Sequence, residues 1–422
     1  MTTQPQIVTT ALGAGLAGYA RRLHEAAGPG HHVASPLGAW LLLALCAPAS
    51  AGRDRAAITQ ALGCDTGTAA RLAAGLLARP HPLVPSGAAV WTRPAAPLSP
   101  AFRAWHDDLP AVVERGELTG QDALDSWARD RTAGLIERFP LDIGLDVALV
   151  LACALATRVS WEVPFDLAPG SALGRPSPWA GQLRRVLRTP DPRVHPLAGG
   201  PPAAGPGAPA GPPHQQFIAV TAEAGDVAVH LARARGGLLV ASVAAAAEVP
   251  PAAVLAAAQR LASAAVTGDP VPRRELADLA LGDAPLWQVR EEPGPGADTF
   301  TAVLPAWSAR SQIALTGPAL GFGAAVAALA PGDPWTAAQA AMARYSRTGF
   351  EAAAVSAVAV ALAARLPAPG RHRSAELRFA HPYAVVAVTI EPGAPGGPPG
   401  PWHGVPVFSA WVADPADAEP AG

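Results

Sequence analysis

The hydrophobic pattern changes along the chain, from a helical period in the first third to alternation in much of the last half. Helical spacing is clearest in the early segments, at residues 13–27, 51–63, 67–78 and 122–139. Ser35-Pro36 places a capping residue and a first-turn proline at the start of a further, apolar helix. Alternating runs bounded by turn residues predict strands at 88–92, 111–118, 299–307, 383–390 and 405–412. Two further alternating runs around Gly236-Gly237 predict a hairpin over 226–243. These patterns predict an α+β fold with its helices concentrated early and its strands late.

Two segments depart from this simple division. Residues 147–161 form an apolar run that suits either a strand or a buried helix, because its periodicity does not distinguish them. Residues 199–213 consist almost entirely of Gly, Pro and Ala, and we expect them to form a disordered loop.

Composition excludes several classes of protein. Half of the 422 residues are apolar, which is ample for a large core, and the formal net charge of −2 disfavours a nucleic-acid or membrane-surface partner. The longest uncharged apolar run, 37–52, contains Pro48 and is too short to span a membrane. Residues 1–10 lack the pattern of a signal peptide, so we expect a cytoplasmic protein or one exported without a leader.

A search for catalytic motifs gives no support for an enzyme. The chain has no phosphate-binding loop, no dinucleotide glycine pattern and no nucleophile elbow. Cys46, Cys64 and Cys153 are widely spaced, and no Cys/His pair has zinc-ligand spacing. We expect no metal and no cofactor.

Residues 352–364 form an unusual segment between Glu351 and Arg365. They are small or β-branched and carry no charge, and a Pro-rich basic stretch follows them. An ordinary buried Ala-rich helix or strand is one interpretation. The other is a strand-compatible segment attached to an exposed loop.

Seven motifs in order resemble those of the serpins, the fold of the serine-protease inhibitors. The helix start HHVASPLGAW is the first, and the central strand that ends in Trp161 and Phe165 is among the clearest. The others are AGRDRAAITQALG, LDSWARDRTAGLIERF, TAVLPAW, RTGFEAAAVSAV and RFAHPYAVVAV…VPVFSAWVADP. The resemblance covers nearly the whole chain.

The resemblance implies one serpin domain over 1–422, with three β-sheets, about eight or nine helices and an exposed reactive-centre loop. It assigns the hinge and loop to residues 347–378. In this family a protease cleaves the loop and forms an acyl-enzyme, and the freed strand inserts into the main sheet. The hinge carried over from the family comprises Gly349, Phe350, Glu351, Ala352, Ala353 and Ala354.

The family register places the scissile bond between Ala363 and Ala364. A small residue there suits an elastase-like or subtilisin-like protease. Arg365, which would suit a trypsin-like pocket, and Leu362 remain alternatives.

Several positions that control sheet opening in the family differ here. Phe350 stands where Thr or Ser is usual, and its bulk is expected to slow insertion. Arg347 stands where Glu is usual. The sheet-opening positions are Trp161, Ser35, Gly38, Cys153 and Gln339, and most of the family's polar network among them is missing.

The leading functional hypothesis is a monomeric bacterial serpin that traps a serine protease covalently. The alternative is a non-inhibitory binding or scaffold protein whose loop is only a substrate. The helix at 67–79 carries only Arg71 and Arg79, so we expect no glycosaminoglycan partner.

Overall fold

The structure is a computed structural model that describes most of the chain. The described residues are 4–93, 99–144, 147, 149–190, 211–293, 298–332, 335–350, 371–394 and 397–419. They fall into two compact units. The first comprises 1–157, 310–342 and 398–409, and the second comprises 158–309, 343–397 and 410–422.

The first unit contains most of the helices, as the early helical periodicity predicts. Ser35 caps the second helix, where its Oγ accepts a hydrogen bond from Gly38 N at 3.2 Å. Gly63, with φ of 73°, ends the third helix in the left-handed conformation that glycine adopts without strain. The helices are α1 (Gln4–Ala27), α2 (Pro36–Cys46), α3 (Gly52–Leu62), α4 (Thr66–Ala78), α5 (Pro100–Asp108), α6 (Gln121–Arg131) and, after one helix of the second unit, α8 (Phe322–Leu329).

Helix α6 is shorter than the sequence predicts. The pattern over 122–139 suggests one helix, but α6 ends at Arg131, and Ala133 and Gly134 have φ of 51° and 80°. Thr132 Oγ1 donates to Ala128 O at 2.6 Å and accepts from Ile136 N at 3.0 Å, so its hydroxyl fixes the turn. Residues beyond the turn still pack with the helix, which is why the apolar spacing continues past its end.

The strands of the first unit include the ambiguous run of the sequence. Within the run 147–161, β4 (Leu149–Leu155) is a strand and lies antiparallel to β2 (Ser86–Thr92). On its other side β2 pairs in parallel with β3 (Val113–Glu117). Helix α6 covers this three-stranded sheet through a core that contains Leu124 and Val150. The short strand β1 (His32–Ala34) pairs with β19 (Pro406–Val412), whose residues 406–409 belong to this unit.

In the second unit, helix α7 (Pro251–Thr267) packs on an antiparallel sheet. The predicted hairpin at 226–243 is confirmed, with its turn at Gly236-Gly237. Four neighbouring strands of this sheet are, in spatial order, β18 (Tyr383–Thr389), β10 (Leu238–Ala244), β9 (Gly225–Ala234) and β8 (His214–Thr221).

A second sheet of this unit takes in part of the interval assigned to the reactive loop. Residues Arg371–Arg378 form β17, and Ala375 and Leu377 are fully buried in it. The interval 347–378 is therefore not one exposed loop, because alternation along 371–378 places an apolar face inward. The sheet order is β11 (Gly282–Asp283), β12 (Trp287–Pro293), β17, β13 (Thr299–Leu304), β7 (Arg185–Arg188) and β6 (Asp166–Pro169).

The remaining strands are β5 (Val159–Ser160), β14 (Trp307–Ala314), β15 (Ala338–Tyr345) and β16 (Gly349–Phe350). They form a sheet in the order β14-β15-β16-β5. Among the described residues this sheet and that of β2, β3 and β4 are separate, so the strands form four hydrogen-bonded sheets where the resemblance implies three. No helix in the described part of the chain is long and apolar enough to cross a membrane.

Candidate functional site

Trp161 and Phe165 hold a tight turn at residues 346–349 in the second unit. Trp161 donates from its backbone N to Thr348 O and from its indole Nε1 to Ser346 O, both at 3.0 Å. Phe165 N donates to Arg347 O, and Arg347 Nε donates back to Phe165 O, again at 3.0 Å. Four hydrogen bonds thus fix the turn from one side.

The turn joins the end of β15 to β16. Ser346 N donates to Gly349 O at 2.9 Å, and Tyr345 lies opposite Phe350 in the antiparallel ladder. On its other side β16 pairs with β5, with Phe350 opposite Val159. The first two residues of the predicted hinge therefore already occupy a strand position between two neighbours.

Phe350 lies in a buried aromatic site next to the turn. Its side chain is 2% exposed, and its ring meets that of Trp307 edge to face at a centroid distance of 6.3 Å. The indole of Trp307 also stacks on Tyr345 at 6.0 Å. Trp307 packs against the Phe350 ring and Tyr345 lies opposite it in the ladder. In the intact protein the large Phe350 side chain therefore adds buried contact.

A second group of predicted residues meets in the first unit, at the start of α2. Gln339 on β15 accepts from Ser35 N at 2.9 Å and donates to Ser35 O at 2.7 Å. The Ser35 hydroxyl donates to Val407 O at 2.8 Å while it caps α2. A polar network is thus present, although it is built from different residue types than the family pattern.

Gly38 and Cys153 complete the predicted sheet-opening positions. A Cβ on Gly38 would lie 3.1 Å from Leu155 Cδ1 and 3.2 Å from Ser35 Oγ, so a glycine keeps this approach open. Cys153 lies on β4 opposite Ala88. The hydrogen bonds of the network run between Ser35, Gln339 and Val407.

Most predicted loop residues lie outside the described residues. These are Glu351, Ala352, Ala353 and Ala354 of the hinge, and Leu362, Ala363, Ala364 and Arg365 around the scissile bond. Of the Gly/Pro/Ala segment 199–213, residues 199–210 also lie outside them.

Sequence reasoning missed Tyr345, Trp307 and the histidines that pack against Phe165. Tyr345 is fully buried and contacts Trp161 at a ring distance of 5.0 Å. The signal for Tyr345 was its place two residues before Arg347. The histidine contacts depend on strands far apart in the sequence and left no local signal. The described residues contain no group of three or more His, Cys, Asp or Glu side chains placed to hold a metal ion.

Comparisons with known proteins identify the fold. No protein-family profile matches the chain, and no curated protein matches its sequence. Among solved structures, a cleaved form of Serpin 42Da has a TM-score of 0.61 at 12% identity, covering 98% of this chain and 100% of that one.

Two further structures are similar to a comparable degree. The thermophilic serpin tengpin, in its native state, has a TM-score of 0.61 at 11% identity and covers 98% of this chain and 95% of its own. Human thyroxine-binding globulin, complexed with thyroxine, has a TM-score of 0.62 at 12% identity and covers 98% and 100%. The chain has the serpin fold.

Proposed function

We propose that this chain inhibits serine proteases as a suicide substrate. The protease serine Oγ attacks the carbonyl carbon of Ala363, the bond to Ala364 N breaks, and Ala364 leaves as a free amine. An ester then joins protease and inhibitor. Insertion of the freed strand distorts the protease before water hydrolyses that ester.

The observation that carries the proposal is the position of β16. Gly349 and Phe350 lie between β15 and β5 and pair with both. Side chains alternate along a strand, so in an extension of β16 residues 352, 354, 356, 358 and 360 would share the inward face of Phe350. These are Ala, Ala, Ser, Val and Val, and 351–363 contains no proline. The sequence after β16 is therefore suited to extend it between two strands, because no ladder donor is missing and no inward side chain is large or charged.

A second function, binding without inhibition, has one observation in its favour. Thyroxine-binding globulin, whose structure is that of a complex with thyroxine, is as similar to this chain as the other serpins compared. If this chain binds a ligand without inhibiting, a protease cleaves its loop as a substrate and no covalent complex forms.

Incubation with elastase-like, subtilisin-like and trypsin-like proteases distinguishes the two functions. Inhibition predicts an SDS-stable band at the mass of the protease plus residues 1–363, and a released peptide whose sequence starts at Ala364. Start sites at Leu366 or Ala363 would instead assign the bond to Arg365 or Leu362. Complete cleavage by every protease, with no stable complex, would contradict inhibition.

A substitution at the scissile residue provides the matched control. Ala363→Arg is expected to move complex formation from the elastase-like to the trypsin-like protease, because the side chain at this position enters the primary pocket. If the specificity does not change, Ala363 is not the scissile residue.

A further inference from the structure

Two imidazoles stack in the second unit, next to the segment that holds the turn. His214 on β8 and His230 on β9 have ring centroids 5.3 Å apart and planes 21° from parallel. His214 Nδ1 lies 3.1 Å from His230 Nε2. His230 is completely buried. Nothing in the proposed insertion mechanism requires such a pair.

The hydrogen bonds define which nitrogens carry protons. Val163 O lies 2.8 Å from His214 Nε2 and only accepts, so His214 Nε2 donates and Nδ1 is left as an acceptor. His230 Nε2 then donates to that Nδ1. The remaining nitrogen, His230 Nδ1, is buried with no hydrogen-bond partner in the part of the chain that the structure describes. Both N–H groups of the neutral pair therefore have a hydrogen-bond acceptor. An added proton would bring an uncompensated charge.

The surroundings of the pair do not compensate such a charge. Burial lowers the pKa of His214 to about 4, and burial and then His214 lower the pKa of His230. No carboxylate is among the causes of either shift. Across the ladders His230 faces the neutral Gln216 and Ser242.

The elements packed around the pair carry ionisable groups of both signs. Tyr345 and Tyr383 stay neutral, because burial raises the pKa of each. The cationic and histidine groups are Arg233 on β9, Arg347 of the turn, and His372 and Arg373 on β17. Two carboxylates, Glu162 and Asp166, lie beside Phe165 in the sequence, and Glu162 interacts electrostatically with Arg233 and Arg235. The carboxylates of β9 and β17 are in ion pairs, Asp226 with Arg274 and Glu376 with Arg188.

Phe165 connects the pair to the turn. Its ring centroid lies 4.6 Å from that of His214 and 5.4 Å from that of His230. The same ring contacts Tyr345 at 5.8 Å, and the Phe165 backbone makes two hydrogen bonds with Arg347. A displacement of Phe165 therefore acts directly on residues 345–347.

We propose that the His214–His230 pair is an acid-sensitive latch, in which proton uptake by the pair opens the packing around Phe165 and releases residues 345–350. Opening exposes the imidazoles to water, which solvates the added charge. The sign follows from linkage: an imidazole that is neutral and buried when closed binds a proton more readily when open. The closed state therefore weakens as the pH falls from about 6.5 towards 4. Its consequence for inhibition rests on the proposed function, whereas the opening itself does not.

Hydrogen exchange of the intact protein, with no target protease present and with digestion only after quenching, tests the latch by mass spectrometry. Protection factors, corrected for intrinsic exchange, are compared at pH 7.5 and 5.0 for peptides covering 159–165 and 345–350. Protection is expected to fall about 30-fold if one imidazole takes up a proton on opening, and further if both do. A variant that carries both His214→Phe and His230→Phe keeps aromatic packing but has no imidazole left to titrate, and it should hold the change within about twofold. His106→Gln on α5 is the control and should behave as wild type.

The outcomes separate the latch from the inhibitory function. A flat profile in wild type, an equal loss of protection in all peptides, or the same loss in the double variant would each overturn the latch. If the double variant does not fold, the wild-type profile decides alone, and a midpoint between pH 4 and 6.5 that is confined to the two peptides supports the proposal. A protein that opens in acid but forms no protease complex at pH 7.5 keeps the latch and rejects inhibition. A protein that forms the protease complex at pH 7.5 but does not open in acid rejects the latch and keeps inhibition.

Discussion

At the scale of single residues, Phe350 shows that the effect of a departure from a family pattern depends on the neighbours of that residue in the folded protein. The sequence marks it as a bulky residue where a compact one is usual. The structure places it 2% exposed against Trp307, in a site that a threonine would leave partly empty. The aromatic partner comes from a strand more than forty residues away, and no local pattern could reveal it.

Replacing Phe350 is therefore expected to destabilise the intact protein. Phe350→Ala should lower the free energy of unfolding by about 3–5 kcal/mol, the usual cost of emptying a buried phenylalanine site. Phe350→Leu, which retains most of the volume, should cost less. Urea denaturation of the uncleaved variants measures both. Equal stability of Phe350→Ala and wild type would mean that the ring does not hold the hinge in place.

A chain of hydrogen bonds through buried histidines predicts acid sensitivity in the first unit. His32 Nδ1 donates to Gly30 O, His24 Nδ1 donates to His32 Nε2, and the Ser409 hydroxyl donates to His24 Nε2, each at 2.7 Å. Burial, and then His32, lowers the pKa of His24 to about 3. The folded pKa lies below the unfolded value of about 6.5, so stability is complete above pH 6.5.

The free energy of unfolding should then fall as the pH drops from about 6.5 towards 3, at about 1.4 kcal/mol per pH unit for one histidine. Denaturation curves between pH 7.5 and 4.5 measure this slope for wild type and His24→Asn. The variant should have lower stability at pH 7.5 and a shallower slope. An identical slope would show that His24 does not titrate on unfolding.

At the scale of elements, the start of α2 combines a helix cap with an interstrand contact. Ser35→Ala removes the cap to Gly38 N and leaves Val407 O without its donor. The expected cost is about 2–3 kcal/mol, the sum of a lost cap and an unsatisfied buried acceptor. Ser99 caps the more exposed helix α5 through Phe102 N at 3.0 Å.

Ser99→Ala is the matched control for this change and should cost only about 1 kcal/mol. Urea midpoints of the two variants, measured side by side, give the comparison. If Ser35→Ala and Ser99→Ala lower the free energy of unfolding equally, the contact of Ser35 with β19 contributes nothing measurable to stability.

The second prediction at this scale concerns a substitution in the hinge. Ala354→Pro is expected to turn the protein from inhibitor into substrate, because a proline in the inserted strand removes a ladder donor and clashes with its neighbours. Ala368→Pro, between Pro367 and Pro369, controls for a general effect of proline in this part of the sequence.

Gels of both variants with one cognate protease measure the yield of complex. Ala354→Pro should give mainly cleaved inhibitor, and Ala368→Pro should match wild type. A wild-type yield for Ala354→Pro would mean that residue 354 does not enter the sheet.

Elements show most clearly what the sequence can predict. Local chemistry was sufficient for the Ser35 cap and the Gly236-Gly237 hairpin, because each depends on neighbouring residues. It failed for the end of α6, where the apolar spacing continues through a turn. It could not separate strand from helix at 147–161, since the pairing of β4 with β2 is made by residues about sixty positions apart.

At the scale of the whole molecule, the order of seven weak motifs was more informative than any one of them. The serpin fold follows from that order and from similarity to solved structures over 98% of the chain, at identities near 12%. The candidate site was predicted only in part. Trp161, Ser35 and Gln339 came from motif positions, whereas Tyr345, Trp307 and the His214–His230 pair depend on the assembled sheets.

The central claim is that residues after β16 form a strand that can enter the sheet once the loop is cut. Insertion would add ladder hydrogen bonds at about 1 kcal/mol each and bury valines at about 1.5–3 kcal/mol each. The gain is on the order of 10 kcal/mol. Each kcal/mol raises the midpoint by a few degrees in domains of about 200 residues and by less in a longer chain.

Thermal unfolding of the intact protein and of the protein cleaved within 355–366 tests this claim directly. The cleaved form is expected to melt about 10 degrees or more above the intact form. A cleaved form that melts at the same temperature or lower would contradict it, because no strand would then have entered the sheet.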